Sequence, residues 1–162
     1  MSSLNPFFEE MKQTDPKPKA IQKASSEGSS YQITSVRKVR KDKQHDIKFP
    51  VDYVMKVKLR TLCKTLNPIY KQKTGKSLTQ TACNTLLLRF GLIRCKNVNF
   101  AMDYTDTKEY MHTYLLETEY GDRGGLHEIA ILKDLSDRRV AFCMIHHTVA
   151  WLERGGSIEE IL

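Results

Sequence analysis

Cysteine and histidine are the residues of this 162-residue chain that could bind a metal ion or carry redox chemistry. The four cysteines are Cys63, Cys83, Cys95 and Cys143. They lack the C-x-x-C spacing of zinc and dithiol sites, and three fall in apolar helical stretches, so we interpret them as buried thiols. His146 and His147 follow Cys143, but adjacent residues on a helix point in different directions. The sequence therefore predicts no metal site and no cofactor.

Pairs of carboxylate and histidine residues could in principle perform acid–base catalysis. Glu117 with Glu119, or Asp137 with His146, are the nearest candidates, and their spacing favours no particular reaction. The sequence also has no Gly-rich phosphate loop, no H-E-x-x-H motif and no nucleophile elbow. We therefore expect a protein that is not an enzyme.

Basic side chains are distributed unevenly along the chain. The formal net charge of +7 divides into +4 for residues 1–48, +9 for residues 49–96 and −6 for residues 97–162. Residues 49–96 contain a single acidic residue, Asp52, whereas solvated lysine-rich helices ordinarily carry many more. This pattern favours a polyanionic partner for the basic part of the chain.

Residues 1–42 are rich in Ser, Lys, Pro and Gln and show no sustained apolar period. Such a segment cannot bury enough apolar surface to offset its ordering entropy, which predicts a flexible basic arm. The basic residues at the end of this arm, where it could wrap a phosphate backbone, are Arg37, Lys38, Arg40, Lys41 and Lys43.

The longest apolar runs, such as Ala141–Ile145, are far shorter than the roughly 20 residues needed to span a bilayer. No signal-peptide pattern follows Met1. We therefore expect a cytoplasmic protein without a membrane partner.

A strand and two helices are predicted in residues 43–96. The residues of His45–Phe49 alternate between polar and apolar, which is typical of a half-buried strand, and Pro50 suits the first turn of a helix. Helical spacing of apolar residues continues over Val51–Leu66, and Asn67-Pro68 indicates an end there. Ser77 and Gln80 form an S-x-x-Q capping box for the second helix.

The same order of elements is predicted again in residues 109–156, after a linker at residues 97–108. Met111–Leu116 is the second strand, Leu126–Leu135 a helix, and Ser136 caps a helix that continues to about Arg154, before a tail at residues 157–162. Aligning Ser77 with Ser136, and Ile47 with Tyr114, superposes similar residues. One copy of such a unit cannot bury its own apolar face, whereas two copies can bury their apolar faces against each other.

The first unit resembles the Arc- and MetJ-like ribbon-helix-helix DNA-binding family. The resemblance is carried by Gln44-His45-Asp46-Ile47-Lys48-Phe49-Pro50, the apolar helix that follows and the helix capped by Ser77. It covers roughly residues 44–92 and extends more weakly to about residue 154. It implies a mostly α fold with a short antiparallel β-ribbon, in which tandem ribbon-helix-helix units form an intramolecular pseudo-dimer.

Members of that family insert the ribbon into the DNA major groove, where exposed side chains contact bases. In the first strand the resemblance assigns this role to Gln44, Asp46 and Lys48, which could pair with adenine, cytosine and guanine respectively. In the second strand the matching positions are Met111, Thr113 and Leu115. A one-residue slip would expose His112 and Tyr114 instead, and the sequence leaves the two registers open.

The second helix of each unit in that family presents its N-terminal backbone N–H groups to phosphate. The residues to which the resemblance gives this role are Lys76, Ser77 and Thr79 in the first unit and Ser136, Arg138 and Arg139 in the second. Both serines are also predicted to cap their helices, and the two roles are compatible.

The resemblance thus implies a sequence-specific double-stranded DNA-binding protein that contacts its site directionally, because its two strands differ. Family members repress small operons or act in plasmid partition, copy control and conjugative transfer, which makes a relaxase a possible partner and higher-order assembly on DNA possible. One alternative is a protein-interaction adaptor whose acidic residues 97–162 dock a basic partner. RNA binding is less favoured, since no aromatic stacking surface is evident.

Overall fold

The fold is that of a computed structural model, which describes residues 43–121 and 123–162. The arm residues Arg37, Lys38, Arg40 and Lys41 lie outside these ranges. The helices and strands are β1 (Gln44–Pro50), α1 (Tyr53–Thr74), α2 (Gln80–Ile93), β2 (Tyr110–Leu116), α3 (Glu117–Tyr120), α4 (Leu126–Lys133) and α5 (Asp137–Glu153). Short 3₁₀ turns occupy Cys95–Asn97 and Ile158–Glu160. The expectation of a mostly α fold with a short antiparallel ribbon is confirmed.

The ribbon consists of β1 and β2, which pair antiparallel with Ile47 opposite Thr113. Backbone hydrogen bonds from Glu117 N to Lys43 O (2.8 Å) and from Val51 N to Glu109 O (2.9 Å) extend the ladder at its two ends. Because side chains alternate across a strand, one face of the ribbon covers the helices and the other faces outward.

Helix α1 continues through Pro68 to Thr74, so the predicted end at Leu66 was wrong. Asp52 caps its start by accepting a hydrogen bond from Met55 N at 2.6 Å. Proline removes one helical hydrogen bond. Beside it, Asn67 Oδ1 accepts a hydrogen bond at 2.7 Å from Leu78 N, in the connection between α1 and α2. Gly75 ends the helix at a φ of 73°, a conformation that favours glycine.

Helix α2 begins two residues later than predicted. Its N-cap is Thr79, whose Oγ1 accepts from Ala82 N at 3.2 Å. Ser77 instead donates its hydroxyl to Asn67 Oδ1 at 3.2 Å. Gln80 bonds to Leu59 O rather than back to a cap, so the predicted capping box is absent.

The second unit follows the expected order more closely. Ser136 caps α5, accepting from Arg139 N at 3.2 Å, as predicted. Helix α4 ends at Lys133, with Asp134 in the left-handed conformation at a φ of 53°. The single turn α3, directly after β2, was not predicted.

Helices α2 and α5 cross beneath the ribbon and form the centre of the core. Their closest approach is at Gly91, where a Cβ would lie 2.7 Å from Met144 Cβ. Thr148 Oγ1 donates to Leu87 O at 3.0 Å. A side chain larger than hydrogen at position 91 would therefore separate the two helices.

Burial follows the same order in the two units. In each strand the first four positions are exposed, half-buried, exposed and buried, which matches Ile47 with Thr113. In α2 and α5 the burial patterns match when Thr79 is set against Ser136. The alignment from sequence was therefore wrong by one residue in the strands, where it matched Ile47 with Tyr114, and by two residues in the helices, where it matched Ser77 with Ser136.

None of the described helices is both long enough and apolar enough to cross a membrane.

Candidate nucleic-acid interface

The outward face of the ribbon carries polar and aromatic side chains from both strands. Gln44, Asp46 and Lys48 are exposed on it, in the arrangement expected for β1. Tyr114 lies opposite Asp46, and His112 lies opposite Lys48. Tyr110 completes this face beside Pro50. We call this surface the ribbon face and define it by Gln44, Asp46, Lys48, Tyr110, His112 and Tyr114.

The residues predicted to contact bases from β2 lie on the opposite face. Thr113 and Leu115 are fully buried, and Met111 is half-buried against the core. Thr113 Oγ1 donates to Ile47 O at 3.1 Å, which turns its side chain inward. The expected outward placement of Met111, Thr113 and Leu115 was therefore wrong, and of the two registers left open the one that turns His112 and Tyr114 outward describes the structure.

Hydrogen bonds on the ribbon face link the two strands. His112 Nδ1 lies 3.1 Å from Asp46 Oδ1, so the only carboxylate of this face is shared with an imidazole of the other strand. Lys48 forms no ion pair with any described residue. The face thus offers an ammonium donor, an amide and a phenol for hydrogen bonds to an external partner.

Helix α2 holds the outer edge of β2 through two buried polar side chains. Asn84 Nδ2 donates to His112 O at 3.1 Å, and Tyr114 N donates to Thr85 Oγ1 at 3.1 Å. Both helix residues are only 1% exposed, so these bonds satisfy backbone groups that an unpaired strand edge would leave open. The start of α2 is consequently fixed beside the ribbon face.

The other strand edge is held by a stack of rings. His45 stacks on Tyr120 with centroids 3.9 Å apart, and His45 Nε2 lies 2.6 Å from Glu117 Oε2. The hydrogen bond from His45 holds the pKa of Glu117 below its usual value. Tyr120 Oη donates to Asp137 Oδ2 at 2.7 Å, and burial together with that carboxylate raises the pKa of Tyr120 to about 12. The start of α5 is thereby joined to β1.

A cleft of about 460 Å³ lies between β1 and the start of α5. Lys48 and Arg138 line it together with Asp137 and Tyr120. The Arg138 guanidinium also lies over the Tyr110 ring, 4.8 Å from its centroid, and 3.6 Å from Asp106 Oδ2. Cationic groups therefore border the ribbon face at this end of the cleft.

The predicted phosphate contacts divide into two groups. The exposed ones, which lie at the starts of α2 and α5, are Lys76, Ser77, Thr79, Ser136 and Arg138. Arg139 is different, because it is half-buried with its guanidinium 5.7 Å from the Tyr104 ring centroid. Lys43 lies at the start of the ribbon, with its Nζ 3.7 Å from Glu117 Oε2.

Ion pairs join the basic first unit to carboxylates that follow it in the chain. The lysine and arginine pairs of this kind within the described residues are Lys43–Glu117 at 3.7 Å, Lys56–Glu109 at 2.8 Å, Lys58–Glu153 at 2.6 Å, Arg89–Glu119 at 2.6 Å and Arg94–Glu160 at 2.5 Å. The hydrogen bond from Lys56 lowers the pKa of Glu109. Part of the uneven charge is thus neutralised within the molecule.

The thiols are placed for packing. Cys63, Cys83 and Cys143 are buried and Cys95 is half-buried, so the interpretation as buried thiols is confirmed for the first three. Burial and the neighbouring Cys63 raise the pKa of Cys83 to about 12. Across residues 43–121 and 123–162, no group of three or more His, Cys, Asp or Glu side chains could hold a metal ion.

The side chains of β2 show why the outward face was partly missed. Tyr114 was matched with the apolar Ile47, whereas Met111 and Leu115 are the residues that mark the buried face. The alternation of Tyr110, His112 and Tyr114 with those residues was the available signal. Comparison with protein-family models, curated proteins and solved structures finds no match for this chain.

Proposed function

We propose that this protein binds double-stranded DNA by inserting the β1–β2 ribbon into the major groove, with its two strand–helix–helix units acting as an intramolecular ribbon-helix-helix pseudo-dimer. The observation that carries the proposal is the ribbon face, which is polar, exposed and bordered by the starts of two helices. A two-stranded ribbon fits the roughly 12 Å width of the major groove.

Reciprocal contacts support the pseudo-dimer. A two-fold interface repeats each contact with the roles of the two copies exchanged. When Thr79 is matched with Ser136, Gly91 corresponds to Thr148 and Leu87 to Met144. The approach of Gly91 to Met144 then has its counterpart in the bond from Thr148 to Leu87.

The chemistry of the ribbon face supports base recognition. Lys48 can donate to guanine O6 or N7, and Gln44 can form a bidentate pair with adenine. On the other strand His112 and the Tyr114 phenol add polar groups, so the two strands offer different patterns. We therefore propose a directional site, contacted by one chain without the symmetry that two identical strands would impose.

The biological role that we propose is a repressor or an accessory factor of a plasmid or other mobile element, in which the second unit presents a surface to a DNA-processing protein such as a relaxase. This role rests on the family resemblance and not on a contact in the structure. The adaptor alternative has less support, because Glu109, Glu119, Glu153 and Glu160 are already paired with basic residues of the same chain.

The proposed function is tested by titrating labelled duplex DNA with the wild-type protein and with Lys48→Ala, using fluorescence anisotropy at low salt. Removal of a base contact should reduce the affinity for a selected site by about 1–3 kcal/mol and leave binding to random duplex largely unchanged. Lys96→Ala is a matched control, because Lys96 is an exposed lysine in the 3₁₀ turn after α2 and makes no ion pair with a described residue.

Failure of the wild-type protein to bind any duplex at low salt would contradict the proposal. Equal losses for Lys48→Ala and Lys96→Ala would leave only a general attraction to anions. A preference for duplex RNA over duplex DNA of the same sequence would replace the major-groove model, since the major groove of RNA is too narrow for side chains to contact bases.

A further inference from the structure

A stripe of basic residues lies along one exposed side of α1. Arg60, Lys64 and Lys71 are separated by four and seven residues, so at 3.6 residues per turn they lie within about 40° of one another on the helix. All three are exposed, and none forms an ion pair with a described residue. At 1.5 Å per residue the stripe extends over about 16 Å.

Side-chain hydrogen bonds fix the position of this stripe relative to α2. Asn67 lies on the same side of α1 and accepts from Leu78 N at 2.7 Å and from Ser77 Oγ at 3.2 Å. Gln80 Nε2 donates to Leu59 O at 3.2 Å. Lys76 and Thr79, at the start of α2, therefore lie beside the stripe and extend it towards the ribbon.

The charge of this region is unusually one-sided. No acidic residue occurs between Asp52 and Asp103, a span that includes all of α1 and α2. Solvated helices ordinarily balance their lysines with acidic residues three or four positions away, and α1 has none. A row of exposed cations without acidic residues on its own helix attracts a polyanionic partner.

Among its described residues, the second unit has no comparable stripe on a helix. Its helix α4 is only eight residues long, against 22 for α1, and ends at Lys133. Asp134 follows α4 directly, and Asp137 is the first residue of α5. The two sides of the ribbon therefore differ in the charge that they would present to DNA outside the major-groove contact.

We infer that Arg60, Lys64 and Lys71 of α1 bind the phosphate backbone of duplex DNA on one flank of the site contacted by the ribbon, and that the opposite flank is not held in this way. This inference rests on the proposed function, because it takes its partner from the ribbon face. The start of α2 links the stripe to the ribbon, because Asn67 of α1 bonds to Leu78 N and Asn84 of α2 bonds to His112 O. DNA offers one charge per 3.4 Å of axis on each strand, so a stripe of about 16 Å faces several phosphates.

The test compares wild-type protein with the triple variant Arg60→Gln/Lys64→Gln/Lys71→Gln on a duplex at 50–200 mM salt, in anisotropy titrations. Each lost phosphate contact should reduce the slope of log K against log salt by roughly 0.9, so we expect a reduction of about 2–3. The charge-matched control is Lys96→Gln/Lys108→Gln/Lys133→Gln, and we expect its slope to stay close to that of wild type. Circular dichroism confirms that both triple variants remain folded.

Hydroxyl-radical footprinting on a selected site gives the second readout. We expect the wild-type protection to extend further on one flank, and the α1 variant to lose protection on that flank only. Unchanged slope and footprint in this variant, with intact wild-type binding, would overturn the inference and leave the proposed function standing. Absence of wild-type binding to any duplex would overturn both. Selective loss of binding to duplex RNA or to polyglutamate, with DNA binding unchanged, would assign the stripe to another polyanion and overturn the inference.

Discussion

Residues 44–93 and residues 110–153 each form a strand followed by helices, and the last helices of the two segments, α2 and α5, pack together. Most of their buried positions correspond along the two strands and along α2 and α5. Their exposed positions do not correspond: Gln44, Asp46 and Lys48 stand where the second strand has aromatic side chains and an imidazole. Requirements of the shared core explain the first observation, because one face of each strand and helix must pack.

The two halves also differ in the charges on their surfaces. The first half has the unpaired cations of α1 and Lys48, whereas the second half has carboxylates that neutralise Lys56, Lys58 and Arg94. Pairing of the halves is thus supported by ion pairs as well as by the core, although exposed ion pairs contribute only about 0–1 kcal/mol each. The comparison predicts that substitutions at equivalent core positions of the two halves have similar effects on stability, and that substitutions at equivalent surface positions have different effects.

The largest expected effect comes from equivalent core positions of the two strands. Phe49→Ala should lower the free energy of unfolding by about 3–5 kcal/mol and Leu115→Ala by about 2–5 kcal/mol, because both side chains are fully buried. His112→Ala, on the ribbon face, should change it by no more than about 0.5 kcal/mol. Urea unfolding measures all three, and a cost for Leu115→Ala as small as that for His112→Ala would contradict the observed register.

A smaller effect is expected where α2 and α5 approach. Gly91→Ala would normally favour a helix, but here the new Cβ meets Met144, so we expect destabilisation by about 1–3 kcal/mol. At the corresponding position, Thr148→Val removes a hydrogen bond to Leu87 O and should cost about 1 kcal/mol. Ile93→Ala, 83% exposed on α2, is the control. Stabilisation by Gly91→Ala in thermal unfolding would show that the helices are not in close contact.

The smallest expected effect is a dependence of stability on pH, caused by two histidines of the second half. Burial lowers the pKa of His146 and His147 below the ordinary value of 6.5. As pH falls through 6.5 the unfolded chain binds protons that the folded chain resists, so stability is present above that pH and declines below it. We expect the thermal midpoint of the wild-type protein to fall between pH 7.5 and pH 5.5. In His146→Gln/His147→Gln the decline should shrink, and an identical decline would assign it to other groups.

Much of the fold was predictable from local patterns. The polar and apolar alternation of β1, the start of α5 at Ser136 and the order of elements were all visible in the sequence, because hydrophobic period and capping act over a few residues. The path of α1 through Pro68 was not, since the side-chain bond from Asn67 to Leu78 N joins residues distant in sequence.

The candidate interface was predictable on one strand and not on the other. In β1 the apolar partners Ile47 and Phe49 identify the buried face without ambiguity. In β2 Tyr110 and Tyr114 are amphipathic and suit either face, so the register depends on pairing with β1. The basic stripe of α1 was hidden for a different reason. Lys71 lies beyond the predicted end of this helix at Leu66, and helical spacing relates it to Arg60 and Lys64 only once α1 is known to continue.

The central claim, that the ribbon face contacts bases in the major groove, is tested most directly by selecting binding sites from a random duplex library. The selected site is then rebuilt with 7-deaza-guanine, which removes the N7 acceptor from the major groove while leaving Watson–Crick pairing intact. We expect an asymmetric site whose affinity falls on this replacement by about 1–3 kcal/mol per contact, and no such fall for Lys48→Ala. An enriched site that binds equally well after the replacement, or no enriched site at all, would contradict the account.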